Sequence, residues 1–227
     1  MKFKVFIPAA GLGSRLGNET KLFNKSLVSV NYKPVISHII DKINPSTEIV
    51  IALGYKGELL RDFINVSYGK DRKFTFVKID KYKGKDSSLR YTILKSQSFL
   101  QCPFIFIPCD SIIYQDLKIQ KNDWIGISNK IDPDNLYRKV ILKNDKVEFL
   151  EKKIKSGKIY TGVCGIMNYQ KFWISFKKNF NYNGEIAGLI GLDLNKKSLK
   201  LITWEDSGNL KNLKKLRSSN TSKYNIL

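Results

Sequence analysis

The most informative segment of this chain is Ala9-Ala10-Gly11-Leu12-Gly13-Ser14-Arg15, continued a short way later by Lys25-Ser26-Leu27. It follows an apolar run, residues 3–8, that predicts a first β-strand. Glycines after a strand leave no Cβ in the way, and the backbone N–H groups of such a turn suit phosphate oxygens. With the cations of Arg15 and Lys25 beside it, the turn predicts an anionic ligand, first of all a triphosphate.

The spacing of the glycines differs from both common phosphate-binding motifs. The segment is neither Gly-x-Gly-x-x-Gly nor Gly-x-x-x-x-Gly-Lys-Ser/Thr, so a dinucleotide-dependent oxidoreductase and a P-loop nucleotidase are both disfavoured. The alternative explanation is a chance glycine-rich turn ahead of a helix.

Length and composition indicate a globular protein. The 227 residues are enough for one large α/β domain or two small ones, and the mean hydropathy is −0.27. We expect no membrane span and no signal peptide, because no apolar run is long enough for either. Three widely spaced cysteines, Cys102, Cys109 and Cys164, form no metal-binding spacing and indicate reduced thiols. The sequence therefore predicts a cytoplasmic protein.

The net charge of +20 raises the question of a nucleic-acid or membrane partner. The lysines are scattered along the whole chain, and only residues 211–223 are locally dense. No nucleic-acid-binding module is recognisable, so we expect neither nucleic acid nor membrane as a partner, and the sequence does not predict an oligomeric state.

Strand and helix patterns alternate along the first part of the chain, which predicts right-handed crossovers and a doubly wound, mostly parallel, Rossmann-like sheet in the α/β class. Ligands of such sheets bind where the strands end. That rule brings Gly11–Arg15, Gly54, residues 84–89 and Asp110 to one edge. The strand patterns lie at 49–53, 74–79, 104–107 and 124–127, and the helix patterns at 35–43, 59–64 and 88–100.

The pattern changes near residue 135, where a hairpin over residues 140–150 begins a small β-rich part. Further patterns predict a strand at 160–167, helices at 172–176 and 185–194, a strand at 199–204 and a helix at 210–216. We expect residues 1–227 to form a single domain, with 1–134 and 135–227 as its two parts.

The glycine-rich segment resembles the signature of the sugar-phosphate nucleotidyltransferases, the family that makes NDP-sugars. That signature is Ala-Ala-Gly-x-Gly-x-Arg, a variable loop, then Pro-Lys-x-Leu. Here Asn24 stands in place of the proline. The choline-phosphate cytidylyltransferases of the same superfamily also lack that proline, so the departure bears on the choice of acceptor.

The resemblance implies a site divided between the two parts of the chain. Arg15, Lys25 and Asp110 would be catalytic, and residues 1–134 would bind the nucleotide through Ala9, Ala10, Gly11, Gly13, Ser14, Arg15, Lys25, Gly84, Ser87 and Ser88. Residues 135–227 would bind the acceptor, with Glu151-Lys152 and Thr161-Gly162 in contact with it. Exposed Glu and Lys are common, so a solvated pair is the alternative for Glu151-Lys152. Ser87 is also a plausible helix N-cap.

A magnesium ion is the cofactor that the resemblance implies. Asp110 ends an apolar strand, where a carboxylate suits Mg²⁺ bound to phosphates. Asp206, in Trp204-Glu205-Asp206-Ser207-Gly208, resembles the second metal-binding carboxylate of the family. For both residues the alternative is a helix-capping Asp.

The implied reaction joins an NTP to a sugar 1-phosphate and releases pyrophosphate, by in-line attack of the acceptor's phosphate on the α-phosphate. The acceptor is already an anion near neutral pH, so positioning and charge neutralisation do most of the catalysis. The alternative within the superfamily is a CTP:phosphocholine or other phospho-alcohol cytidylyltransferase, for which Trp124, Tyr160 and Trp173 could supply rings. A nucleotide-binding regulatory subunit without catalysis is the alternative from another class.

Overall fold

The computed structural model describes residues 3–117, 120–150 and 154–221. The strands are β1 (Lys4–Ala9), β2 (Ser29–Val30), β3 (Lys33–Pro34), β4 (Glu48–Leu53), β5 (Phe74–Lys78), β6 (Phe104–Phe106), β7 (Ser111–Ile113), β8 (Trp124–Ser128), β9 (Lys139–Lys143), β10 (Lys146–Leu150), β11 (Lys158–Ile166), β12 (Leu199–Leu201) and β13 (Trp204–Asp206). The α-helices are α1 (Val35–Ile40), α2 (Gly57–Tyr68), α3 (Leu89–Lys95), α4 (Tyr169–Lys178), α5 (Ile186–Leu189) and α6 (Leu210–Thr221). Among these described residues, no helix combines the length and the apolar character that a membrane crossing requires.

The central sheet is mixed and mostly parallel, which confirms the predicted fold class. Its strand order is β10-β9-β11-β6-β1-β4-β5, and β6, β1, β4 and β5 run parallel to one another. On the far side of β6, β11 runs antiparallel and also pairs with β8 and β9. These strands make the smaller β-rich part. Because β1, β4 and β6 are parallel neighbours, their carboxyl ends meet at one edge of the sheet, called here the carboxyl edge.

Both faces of the sheet are buried, as a doubly wound fold requires. Neighbouring side chains of a strand point to opposite faces. Val5 and Ile7 of β1 belong to one apolar cluster and Phe6 to the other. The first cluster includes side chains of α1, α2 and α6, namely Ile36, Leu60 and Leu213. The second includes side chains of α3, α4 and α5, namely Ile93, Phe172 and Leu189. The sheet is therefore packed on both faces, and this packing holds its carboxyl edge in place.

Two predicted elements of the second part are wrong in extent. The helix expected over 185–194 is only the single turn α5, where a Cβ on Gly188 would come within 2.2 Å of the Phe172 ring. The strand expected over 199–204 is two strands, since β12 joins β8 while β13 pairs with β7 in a separate ribbon. The sequence of a short apolar run does not indicate which strand it will pair with.

The predicted hairpin is present as β9 and β10. Its turn residues, Asn144 and Asp145, have φ values of 48° and 61°. Positive φ at both central residues matches a type I′ turn, which Asn and Asp tolerate.

Gly54, directly after β4, gives a test of the packing at the carboxyl edge. A Cβ there would come within 2.5 Å of the Ala10 carbonyl oxygen, at the start of the glycine-rich loop. We expect Gly54→Ala to lower the free energy of unfolding by about 1–3 kcal/mol, because the backbone must shift to relieve the overlap. Urea unfolding measures this change. The control is Gly11→Ala, where nothing lies within 4 Å of the added Cβ; equal losses for both variants would contradict the packing argument.

Candidate active site

The loop after β1 borders a cavity of about 460 Å³ at the carboxyl edge. Gly13 adopts φ +70°, and a Cβ on it would lie 2.9 Å from the Cβ of Lys25. Glycine at this position therefore lets the loop and the Lys25 segment pass close together. Of the predicted nucleotide-binding residues, Ala9 is buried in β1 and Gly84 is outside the lining of this cavity. Those that line it are Ala10, Gly11, Gly13, Ser14, Arg15, Lys25, Ser87 and Ser88.

The N-cap of α3 is Ser88, whereas the sequence analysis named Ser87 as the plausible N-cap. The Ser88 hydroxyl, not that of Ser87, accepts the N–H of Tyr91 at 3.0 Å and caps α3. Ser87 donates to the Gly84 carbonyl at 2.8 Å. Sequence alone could not choose between two adjacent serines.

Lys25 and Asp110 form an ion pair at the centre of the site. Lys25 Nζ lies 2.9 Å from Asp110 Oδ2, and both side chains are largely buried. Burial opposes the charge on Asp110, but the positive charges of Lys25 and Arg15 outweigh it and hold the pKa of Asp110 below its usual value. Burial also opposes the charge on Lys25, and Asp110 and Cys109 more than offset it, which raises the pKa of Lys25. Both groups are therefore charged at neutral pH.

Asp206 reaches the same place from the other end of the chain. Strand β13 pairs with β7 so that Asp206 lies opposite Ser111, the neighbour of Asp110. Asp110 Oδ2 and Asp206 Oδ1 lie 2.7 and 2.9 Å from the point where a Cβ on Gly208 would stand, and Arg15 Nη2 lies 3.2 Å from it. The structure thus brings together the two carboxylates and one predicted cation. Their role in binding a metal stays a prediction.

Two residues that the sequence did not predict hold Asp206. Its Oδ2 accepts the Tyr137 hydroxyl at 3.0 Å and the Asn212 amide at 2.8 Å, while its Oδ1 accepts the N–H of Gly208 at 2.8 Å. Burial, and then the negative charge of Asp110, raise the pKa of Asp206. No pattern in the neighbouring sequence indicates a site role for Tyr137 or Asn212, since each forms its hydrogen bond to Asp206 only in the folded chain.

Tyr137 is itself fixed by a buried ion pair in the loop ahead of β9. The carboxylate of Asp132 accepts the N–H groups of Leu136 and Tyr137 at 2.9 and 3.2 Å. The same carboxylate pairs with Lys139 Nζ at 2.7 Å, with both side chains at most 5% exposed. These contacts hold the loop in a conformation in which the Tyr137 hydroxyl donates to Asp206.

A second cavity, of about 740 Å³, opens beside the first and is lined mainly by the later part of the chain. Thr161 and Gly162 both line it, within β11 rather than in a turn. The Thr161 hydroxyl donates to the Gly126 carbonyl at 3.1 Å, and Gly162 has φ +82° where the register of β11 shifts. The two cavities share Arg15, Leu89, Pro108, Asp110 and Glu185. Glu151 and Lys152 lie outside the described residues.

Glu185 is a third site residue that the sequence did not predict, because a Glu at the start of a helix is usually explained by the helix dipole. It lines both cavities, and burial raises its pKa to about 7. An uncharged carboxyl can both donate and accept hydrogen bonds, so this group offers a polar contact where the cavities meet.

No protein-family model matches the chain. A bifunctional protein GlmU from Methanococcus vannielii is 25% identical over 175 residues, which cover 72% of this chain and 40% of the relative. A choline-phosphate cytidylyltransferase from Streptococcus pneumoniae is 26% identical over 210 residues, covering 87% of this chain and 85% of the relative. The chain spans about two fifths of the length of the GlmU protein.

Solved structures agree in fold. A CTP:phosphocholine cytidylyltransferase from S. pneumoniae superposes with a TM-score of 0.74 at 20% identity, covering 96% of this chain and 99% of its own. A UDP-glucose pyrophosphorylase complexed with UDP-glucose superposes with a TM-score of 0.73 at 14% identity, covering 99% and 100%.

The site combines a parallel sheet with a glycine-rich loop and paired charges at its carboxyl edge, an arrangement typical of nucleotide-binding α/β proteins. In sequence and in fold, the chain is similar to nucleotidyltransferases, which supports the superfamily of sugar-phosphate nucleotidyltransferases.

The raised pKa of Glu185 predicts a pH-dependent stability. The unfolded chain loses the proton near the ordinary value of 4.5, whereas the folded protein keeps it up to about 7. The folded state binds more protons in this window, so stability contributed by the neutral carboxyl is lost as the pH rises through 7. Urea unfolding at pH 5 and pH 8 should show the wild type losing stability relative to Glu185→Gln. The control is Glu58→Gln, an exposed change on α2; parallel curves for wild type and Glu185→Gln would contradict the assignment.

Proposed function

We propose that the chain is a nucleotidyltransferase that joins an NTP to a sugar 1-phosphate and releases pyrophosphate. The observation that carries this proposal is that two cavities share Arg15 and Asp110, with Lys25 beside them. One cavity follows the glycine-rich loop and suits the nucleotide. The other suits an acceptor. Phosphates bound in both would meet at the shared residues.

The chemistry needs no covalent intermediate. An oxygen of the acceptor's phosphate forms a bond to the α-phosphorus, and the bond from that phosphorus to the bridging oxygen of the β-phosphate breaks. Pyrophosphate leaves with the electron pair of that bond. Lys25 and Arg15 would orient the phosphates and neutralise the charge that grows on the leaving group. Asp110 would keep Lys25 charged and directed into the cavity.

Magnesium is the cofactor of this proposal, with Asp110 and Asp206 as its protein ligands. The donor set fits, because the carboxylates of these residues approach a common point and Mg²⁺ takes few protein oxygens besides phosphates and water. When bound, the ion would add positive charge at the phosphates. Reduced, buried thiols at Cys109 and Cys164 support a cytoplasmic setting for the enzyme.

The aromatic residues that line the acceptor cavity bear on the choice between a sugar 1-phosphate and phosphocholine. A choline site needs rings around a cation. Of the three candidate rings, Trp124 and Trp173 are buried in the core, and Trp173 donates to the Leu100 carbonyl at 3.1 Å. Tyr160 lines the acceptor cavity together with Tyr137 and Trp204, so the cavity offers three rings. The extent of the likeness to a choline-phosphate cytidylyltransferase keeps phosphocholine as the alternative acceptor.

The deciding experiment measures pyrophosphate release for each common NTP against several sugar 1-phosphates, phosphocholine and related phospho-alcohols. The proposal expects release with at least one sugar 1-phosphate. Release with phosphocholine alone would establish the alternative. No release with any pair, in the presence of Mg²⁺, would contradict the proposal.

Lys25→Ala should lower the rate by on the order of 10² or more, because charge stabilisation of the leaving phosphates is lost. Asp110→Asn should remove most turnover with the fold intact, as judged by circular dichroism. The matched control is Lys21→Ala, which removes an exposed lysine from the same loop. A Lys25→Ala enzyme that works at the normal rate would show that this lysine is assigned wrongly.

The division of the chain between the two substrates has its own test at Lys152, which we expect to contact the acceptor's phosphate. Lys152→Ala should raise the acceptor KM, or lower kcat if the contact forms only in the transition state, with NTP affinity nearly unchanged. Acceptor kinetics and calorimetry with NTP measure the two effects. Lys146→Ala, on β10, is the control. Loss of NTP affinity with an unchanged acceptor KM would reverse the division.

A further inference from the structure

We propose that Asn24 is a positioning residue that holds Lys25 in the cleft, an inference that rests on the proposed function. Asn24 is fully buried and lies directly before Lys25, at the start of a single 3₁₀ turn over Lys25–Leu27. It therefore sets the direction in which the lysine leaves the backbone.

The carboxamide of Asn24 makes three hydrogen bonds. Its nitrogen donates to the carbonyls of Ala9 at 2.9 Å and Tyr55 at 2.8 Å. Its oxygen accepts the N–H of Ser26 at 3.0 Å. One buried side chain thus uses both of its donors and its acceptor on the backbone.

The two carbonyls belong to neighbouring strand ends of the sheet. Ala9 is the last residue of β1, and Tyr55 follows the end of β4, which pairs in parallel with β1 as far as Ala9 opposite Leu53. The Asn24 side chain therefore fastens the segment of Lys25 to both strands at once. Lys25 Nζ then meets Asp110 beyond β6, so the three parallel strands share one fixed point.

Backbone conformation alone does not account for asparagine at this position. Asn24 has φ −63° and ψ 143°, values that proline adopts without strain. What proline lacks is the pair of donors to Ala9 and Tyr55. Buried carbonyls left without a donor are costly, and a shift of about 1 Å in a catalytic group can lower a rate by on the order of 10². The hydrogen bonds, rather than the backbone angle, are what we infer to hold the lysine.

A double-mutant cycle with Lys25→Ala tests this inference. Asn24→Ala and Asn24→Pro should each lower kcat by about tenfold to a hundredfold in the wild-type background. Asn24→Ala should change the rate of the Lys25→Ala enzyme less than about twofold, because its effect passes through the lysine. The matched control is Asn179→Ala, which removes two amide hydrogen bonds to Ser175 on α4 and should leave the rate unchanged.

A second readout does not depend on turnover. In the wild type an amine-reactive reagent should label Lys25 more slowly than the exposed Lys21, because Lys25 is largely buried against Asp110. Mass spectrometry of the labelled peptides should show faster labelling of Lys25 in both Asn24 variants, with Lys21 unchanged. If Asn24→Ala does not fold, Asn24→Ser replaces it, since serine keeps an acceptor for the Ser26 N–H.

Three results would overturn the inference: full activity of Asn24→Pro, an equal loss from Asn24→Ala in both backgrounds of the cycle, or unchanged labelling of Lys25. A different result would contradict the proposed function, namely no pyrophosphate release by the wild type with any substrate pair. The labelling result would still test the positioning of Lys25 in that case.

Discussion

The ion pair between Lys25 and Asp110 is the interaction on which the rest of the site depends. Its two charges are largely buried where parallel strands end, and either one alone would be costly to bury. Each partner comes from the loop region after a different strand, β1 for the lysine and β6 for the aspartate, and these strands are direct neighbours. The sheet thus fixes the distance between a cation and an anion far apart in sequence.

The last part of the chain closes the site over this pair. Strand β13 delivers Asp206 beside Asp110, and Asn212 on the following helix α6 keeps its carboxylate in place. Five residues further along α6, Arg217 makes a two-pronged ion pair with Glu19 at 2.8 and 3.0 Å. Glu19 belongs to the loop that carries Arg15. A single helix therefore ties the glycine-rich loop to the second carboxylate.

The parts of this arrangement that could be predicted are those written in local sequence. One such part is a glycine-rich turn after an apolar strand, and another is an aspartate at the end of a second strand. Once the strands are known to be parallel, both parts must lie at the same edge of the sheet. Tyr137 could not be found in this way, because its hydroxyl meets Asp206 across 69 positions of sequence. Nor could the β7–β13 ribbon, whose strands of three residues are too short to show a period.

Asn24 and Glu185 show a different limit. The sequence marks Asn24 as a departure from a family pattern, yet only its two strand-end carbonyl partners explain what the amide does. Glu185 reads as the ordinary first residue of a helix until burial and the meeting of two cavities give it another role. In both cases the chemistry lies in the surroundings of the residue and not in its neighbours along the chain.

In the proposed reaction, both phosphates meet at the Lys25–Asp110 pair, and the acceptor attacks the nucleotide directly. The most direct measurement is the exchange of labelled pyrophosphate into NTP, with and without an acceptor that supports turnover. Direct transfer predicts exchange only when the acceptor is present, because no bond to the α-phosphorus breaks without it. Exchange in its absence would reveal a nucleotide bound covalently to the protein and would contradict the account.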